Sequence, residues 1–319
     1  MHDKHLLSKV LVLDNSAEHA EAIKKFCDDN NLVGLKVHKD NLMSVLRSNI
    51  DLGAILYSEN YGDTPEENQD IAMSIHSVRS ELPLILRREH EATLDDLPEE
   101  MRKVFCASYV ASNMDALRGV IDEYIFCLVY PNDLVRGIAE ISGDILSDQF
   151  KTVATTLRET PYIVRDRIIF GEVFSLIPLE SAWCRGYMML QSEEEPIIAF
   201  LNRIHPNREQ RDFRAVNSFL GEITNLIWGA FKNRYIGEQN ATETKIQVPL
   251  IVNHKHNYIS FGSENPQLCF LYTLTDDQTG QEVKLYQRFI FNLSWSPEDF
   301  KEIKHDVEEL VDSGELELF

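Results

Sequence analysis

KVLVLDN (residues 9–15) is an apolar run that ends on an acid, the pattern of a strand buried on both faces of a parallel sheet. Behind it, SAEHAEAIKKFCDDNN (16–31) places Ala20, Ile23 and Phe26 on one helical face. GLKVHKD (34–40) predicts a second short strand. GAILYSE (53–59), LPLILRR (82–88) and CASYVAS (106–112) repeat the first run, each set off by a polar, helix-like stretch. This alternation predicts an α/β, doubly wound parallel sheet over residues 1–130, with helices on both faces. In such a sheet, functional residues gather at the carboxyl ends of the strands.

A turn-like YPND (130–133) marks a boundary, and residues 131–319 read differently. LVRGIAEISGDILSDQF (134–150) has Leu134, Ile138, Ile141 and Ile145 at helical spacing. YIVRDRIIFGEVFSLIPLE (162–180) and CRGYMMLQS (184–192) alternate like antiparallel strands. A short helix at 194–204 and a long one at 208–235 follow, and strands resume in KIQVPLIVN, LCFLYTL and EVKLYQRFIFNLS. The expectation is an α+β domain with long helices on an antiparallel sheet. LYQRFIFNLS (285–294) has large apolar residues on both sides. Read as an edge strand, it would be an association hazard, which predicts a homodimer through residues 132–319. An acidic amphipathic helix over 297–313 could cap that edge instead.

Composition narrows the function. Fifty-two acidic against thirty-one basic residues give a formal net charge of −21, which argues against nucleic acid or an anionic membrane as partner. The five cysteines are scattered without a CxxC pair, which fits reduced thiols in a cytoplasmic protein. MHDKHLLSKV at the start is charged, so no signal peptide is expected. P-loop, GxSxG, HExxH and dinucleotide fingerprints are absent from the sequence. His254 and His256 form an HxH with no third ligand nearby in sequence, and read as exposed strand-end histidines. Trp183, Trp228 and Trp295 read as packing residues.

The long helix carries the chemistry. At about 100° per residue, Val216, Leu220, Ile223, Ile227 and Phe231 form its core face. Opposite lie Arg214, Ser218, Gly221, Glu222, Asn225, Gly229 and Lys232. Glycine inside a helix costs up to about 1 kcal/mol relative to alanine. Two on one polar face point to close approach by another molecule. Glu222 and Asn225, three apart, project from one patch.

Residues 1–128 resemble the receiver domain of response regulators in VLVLDNS, DLGAILYSENYG, PLILRR and ASYVASNMDAL. The receiver's acidic pair is Asp14-Asn15 here, its phosphoacceptor position falls among Leu56, Tyr57 and Ser58, its Thr/Ser position holds Arg87 or Arg88, and its lysine position holds Ser112. The resemblance implies a pseudo-receiver without phosphorylation chemistry, or, on another alignment, Glu59 as a permanent phosphate mimic. GEITNLIWG (221–229) resembles the signature helix of the CheX, CheC and FliY chemotaxis phosphatases: Glu222, two residues, Asn225, and later Pro249 in QVPLIV. That implies dephosphorylation of aspartyl phosphate on a CheY-like receiver. Asn225 would orient the attacking water and Glu222 would pair with the partner's lysine. Ser218, Gly221, Gly229 and Lys232 would line the docking face. No cofactor is implied for this chain, because Mg²⁺ comes with the phosphorylated partner. CheC-type relatives repeat the motif on their first helix. Here Glu140 is followed three residues later by Gly143, so one site is expected. The alternative is a non-catalytic adaptor for chemotaxis or two-component partners.

Overall fold

The computed structural model describes residues 6–48, 50–165, 168–169, 172–204, 212–237, 250–253, 259–260 and 265–303. The first half runs β1 (Leu7–Leu13), α1 (Ala17–Asp29), β2 (Leu32–Leu35), α2 (Leu42–Arg47), β3 (Ala54–Ser58), α3 (Pro65–Val78), β4 (Leu84–Arg88), α4 (Glu99–Arg102), β5 (Ala107–Val110) and α5 (Met114–Tyr124). These strands are parallel, in the order β2-β1-β3-β4-β5. Alternate residues of each strand feed two cores. Val10, Val12, Ala54 and Leu56 pack with Ile23 and Phe26 of α1 and Leu117 and Ile121 of α5. Leu11, Leu13, Ile55 and Tyr57 pack with Leu42, Leu46, Ala72 and Ile75 of α2 and α3. The apolar runs are continuous because both faces of the sheet are covered. The second strand comes earlier than its sequence predicts. Asn31 takes a left-handed φ of 57° and turns the chain straight from α1 into β2.

The second half runs α6 (Asn132–Phe150), β6 (Ala154–Arg158), β7 (Tyr162–Val164), β8 (Ile168–Ile169), β9 (Val173–Glu180), β10 (Cys184–Ser192), α7 (Glu194–Ile204), α8 (Phe213–Tyr235), β11 (Leu250–Asn253), β12 (Ile259–Ser260), β13 (Gln267–Asp276) and β14 (Glu282–Trp295). An antiparallel order β11-β9-β10-β14-β13 carries α6, α7 and α8 on one face. Gly186 sits where the β10–β14 register shifts, and a Cβ there would strike the Ile290 carbonyl. β8 and β12 form a separate two-stranded sheet.

The two halves share one sheet. β7 pairs with β13 on one side and, in parallel, with the start of β1 on the other (Leu7 opposite Tyr162, Ser8 opposite Ile163). The Ser8 hydroxyl donates to the Ile163 carbonyl at 2.9 Å. Asp51, just before β3, accepts from the Tyr162 hydroxyl at 2.7 Å and pairs with Arg288 of β14. Both side chains of that ion pair are buried.

One expectation is overturned. β14 is not an edge strand but lies between β10 and β13. Apolar residues on both of its sides meet α8 on one face and the Phe174–Met189 cluster on the other. The edge-strand argument for a homodimer falls with that placement. Pro297–Asp299 at the start of the predicted acidic helix is a 3-10 turn, Phe300 is extended and residues 300–303 are not helical, which corrects the expectation there; from residue 304 the predicted helix lies outside the described residues. So do His254 and His256. Among the described residues no helix is long and apolar enough to cross a membrane.

Candidate functional site

The α8 helix starts at a capping Asp212, whose carboxylate accepts from the Arg214 N–H at 2.9 Å. The predicted core face, Val216, Leu220, Ile223, Ile227 and Phe231, is buried, and Phe219, which the prediction lacked, is buried with it. At mid-helix this apolar contact is interrupted by Thr224, fully buried, whose hydroxyl bonds that of Ser175 on β9. Ser175 in turn lies within reach of the Leu190 carbonyl at 3.4 Å. A buried polar pair fixes the roll of a helix that apolar packing alone would leave freer to slide. The C-terminal end is held three ways. The Trp183 indole donates to the Tyr235 carbonyl at 3.2 Å. The Tyr235 hydroxyl donates to the Asp133 carbonyl at 3.2 Å, passing so close to Gly137 that a side chain there would collide. Arg234 pairs with Glu140 of α6 at 3.1 Å and with Glu302 at 2.6 Å.

With its roll fixed, α8 turns a polar stripe outward. Ser218, Glu222 and Asn225 are exposed, and Gly221, Gly229 and Lys232 are half-buried. Among the described residues the Glu222 and Asn225 side chains have no hydrogen-bond partner. A Cβ added at Gly229 would meet nothing within 4 Å, so no part of this chain that is described requires a glycine there. Leu226, beside Asn225, is 39% exposed and adds an apolar contact to the stripe, which the face assignment from sequence left out. Pro249 lies outside the described residues.

The corresponding stretch of α6 is closed. Glu140 is engaged by Arg234. The Arg158 guanidinium crosses Gly143 and pairs with Asp144 at 2.5 Å. A side chain in place of Gly143 would run into Arg158, so that helix presents no second copy of the stripe.

The carboxyl ends of the parallel strands hold a different constellation. Arg87, 1% exposed, donates through Nε to Asp14 at 2.5 Å and through Nη2 to the Ser58 hydroxyl at 2.9 Å. Its Nη1 faces Glu89 at 2.9 Å. Glu89 also accepts from Asn60 at 3.1 Å and sits 3.6 Å from His19. Burial works against the Glu89 carboxylate, yet Arg87, Asn60 and His19 together hold it below the usual range. Arg88 pairs with Glu59 at 2.5 Å and with Asp96 at 2.7 Å, and its hydrogen bond holds Asp96 down at about 2. Ser112, expected from the resemblance at a lysine position, makes no contact that enters this cluster among the described hydrogen bonds and ion pairs. The receiver resemblance put Arg87 or Arg88 at a position expected to hold a hydroxyl. It did not reveal where the new charge goes. Among the described residues no group of histidine, cysteine and carboxylate side chains could hold a metal.

One consequence concerns the α8 anchor. Thr224→Val leaves the buried Ser175 hydroxyl with only its longer contact to the Leu190 carbonyl and is expected to cost about 1–3 kcal/mol. The double variant Thr224→Val/Ser175→Ala removes both polar groups and should lie much closer to wild type. Urea midpoints of the two variants check this.

No family model and no curated protein matches the chain. Solved structures give likenesses over about half of it. A chemotaxis protein CheX from Desulfovibrio desulfuricans is 14% identical, with a TM-score of 0.37, over 49% of this chain and 97% of that one. CheX from Vibrio vulnificus is 18% identical, with a TM-score of 0.35, over 49% and 97%. A CheX–CheY–BeF₃–Mg²⁺ complex from Borrelia burgdorferi is 16% identical, with a TM-score of 0.31, over 49% of this chain and 96% of that one.

Proposed function

We propose that this protein dephosphorylates aspartyl phosphate on a CheY-like receiver, in the manner of the CheX, CheC and FliY phosphatases that its α8 motif resembles. The observation that carries the reading is the stripe on α8: Glu222 and Asn225 exposed and unpartnered among the described residues, on a helix whose other face is fixed in the core. The first half, with strand order β2-β1-β3-β4-β5, is taken as a pseudo-receiver, and residues 131–319 as the phosphatase domain.

The chemistry asks little of this chain. Hydrolysis of an aspartyl phosphate proceeds by in-line attack of water on phosphorus, with the aspartate carboxylate leaving. The phosphorylated receiver brings Mg²⁺ and a lysine to the phosphoryl oxygens. The missing component is a water held on the attack line. The Asn225 amide can accept a hydrogen bond from that water and donate one beside it, without adding charge near the phosphoryl oxygens. Glu222, one helical turn away on the same stripe, pairs with the receiver's lysine and sets the register. Leu226 and the open surface at Gly229 let the partner's backbone come close.

The docking half of this reading is tested by binding. A beryllofluoride-activated receiver from the same organism is expected to bind the wild-type protein. Glu222→Ala should weaken that binding by about 1 kcal/mol, roughly fivefold, as loss of a partly exposed ion pair would. Unchanged affinity in Glu222→Ala removes Glu222 from the interface.

A further inference from the structure

A receiver uses a divalent cation at the carboxyl ends of its strands, and the residues here do not fit one. A hard cation needs several free oxygen ligands at about 2.0–2.6 Å. One Asp14 carboxylate oxygen accepts from Arg87 Nε at 2.5 Å and the other from the Ser16 N–H at 2.8 Å with Arg87 Nη2 at 3.4 Å, the Ser58 hydroxyl accepts from the same guanidinium, and Glu89 faces it from the third side. We propose that the Arg87 guanidinium is a built-in substitute for a bound cation: it gathers Asp14, Ser58 and Glu89 around itself and keeps the parallel-sheet half in one state without metal or phosphoryl group.

Three observations support this. Arg87 is 1% exposed and Asp14 is buried beside it, so the pair is part of the interior. An arginine cannot give up its charge by deprotonation, and it cannot leave without removing the only cation paired with the buried Asp14 among the described residues. The network also reaches across elements. Arg87 lies on β4, Ser58 ends β3, Asp14 follows β1, and Glu89 carries the contact on to His19 of α1 and to Asn60. Arg88, the next residue, ties Glu59 after β3 to the loop after β4 through the Thr93 carbonyl and Asp96. The loops that a phosphorylation switch would move are therefore cross-tied by two adjacent arginines. The residue that removes the receiver's hydroxyl also supplies the charge that makes metal unnecessary.

The test is cation exchange by mutation in the full-length protein. Wild type should melt at the same temperature in millimolar Mg²⁺ and in chelator. Arg87→Ala should melt about 10 °C lower in chelator, since it leaves the buried Asp14 without its opposite charge and, among the described residues, with only the Ser16 N–H as partner. Mg²⁺ should restore a large part of that loss, because Asp14, Ser58 and Glu89 then face a vacated volume of cation size. Arg87→Ala/Asp14→Asn should show no Mg²⁺ response. Arg87→Lys, which keeps a charge at the site and remains informative if Arg87→Ala fails to fold, should also be indifferent to Mg²⁺. The proposal is overturned by an Asp14-dependent Mg²⁺ response in wild type or in Arg87→Lys. It is equally overturned if Arg87→Ala loses no stability, or if Mg²⁺ does not raise its melting temperature.

Discussion

Asn225→Ala is expected to remove nearly all acceleration of receiver dephosphorylation, a loss on the order of 100-fold, which is the scale of removing one oriented hydrogen-bonding group from a reaction centre. Binding of the activated receiver should change far less. Asn225 is exposed at the middle of α8 with no partner among the described residues, so its truncation leaves no buried group unsatisfied. Stability should stay within about 0.5 kcal/mol of wild type. That separation is what distinguishes a water-positioning residue from a packing one. Asn225→Asp puts a charge where the amide was, facing the phosphoryl oxygens, and should be as inactive as the alanine variant.

The second large effect lies at the junction of the halves. Arg288→Met leaves Asp51 as a buried carboxylate whose ion-pair partner is gone, and should cost about 3–5 kcal/mol. Asp51→Asn/Arg288→Met should recover much of that. Because β1 and β7 pair directly and the Asp51–Arg288 pair spans them, the loss should appear in probes of both halves at once. Urea unfolding followed by tryptophan fluorescence, since Trp183, Trp228 and Trp295 all lie in the second half, and by amide exchange of β3 in the first checks it. Two well-separated transitions in wild type would contradict a shared cooperative sheet.

Much of this was legible in the sequence for identifiable reasons. Buried parallel strands are continuous apolar runs, so β1, β3, β4 and β5 read directly from KVLVLDN, GAILYSE, LPLILRR and CASYVAS. The 3.6-residue period gave the core face of α8, and its complement gave the outward stripe. Contacts across long stretches of chain left no such mark. Arg288 and Asp51 are 237 residues apart, and a three-residue strand such as Tyr162–Val164 cannot announce which strands will flank it. For β14, apolar residues on both sides signal an interior strand covered twice, but they say the same of an edge strand covered by a partner. The pairing with both β10 and β13 decides it. Thr224, between Glu222 and Asn225, drew no reading from the sequence, because only the fold brings Ser175 under it.

In the proposed function, α8 completes the active site of another molecule's phosphorylated aspartate. The most direct measurement is the decay of a phosphorylated receiver from the same organism, in Mg²⁺, with and without this protein. Loss of phosphate should be markedly faster with wild type and near-intrinsic with Asn225→Ala. Superimposable decay curves with wild type and without protein, for a receiver shown to bind it, would contradict catalysis and leave a docking module in its place.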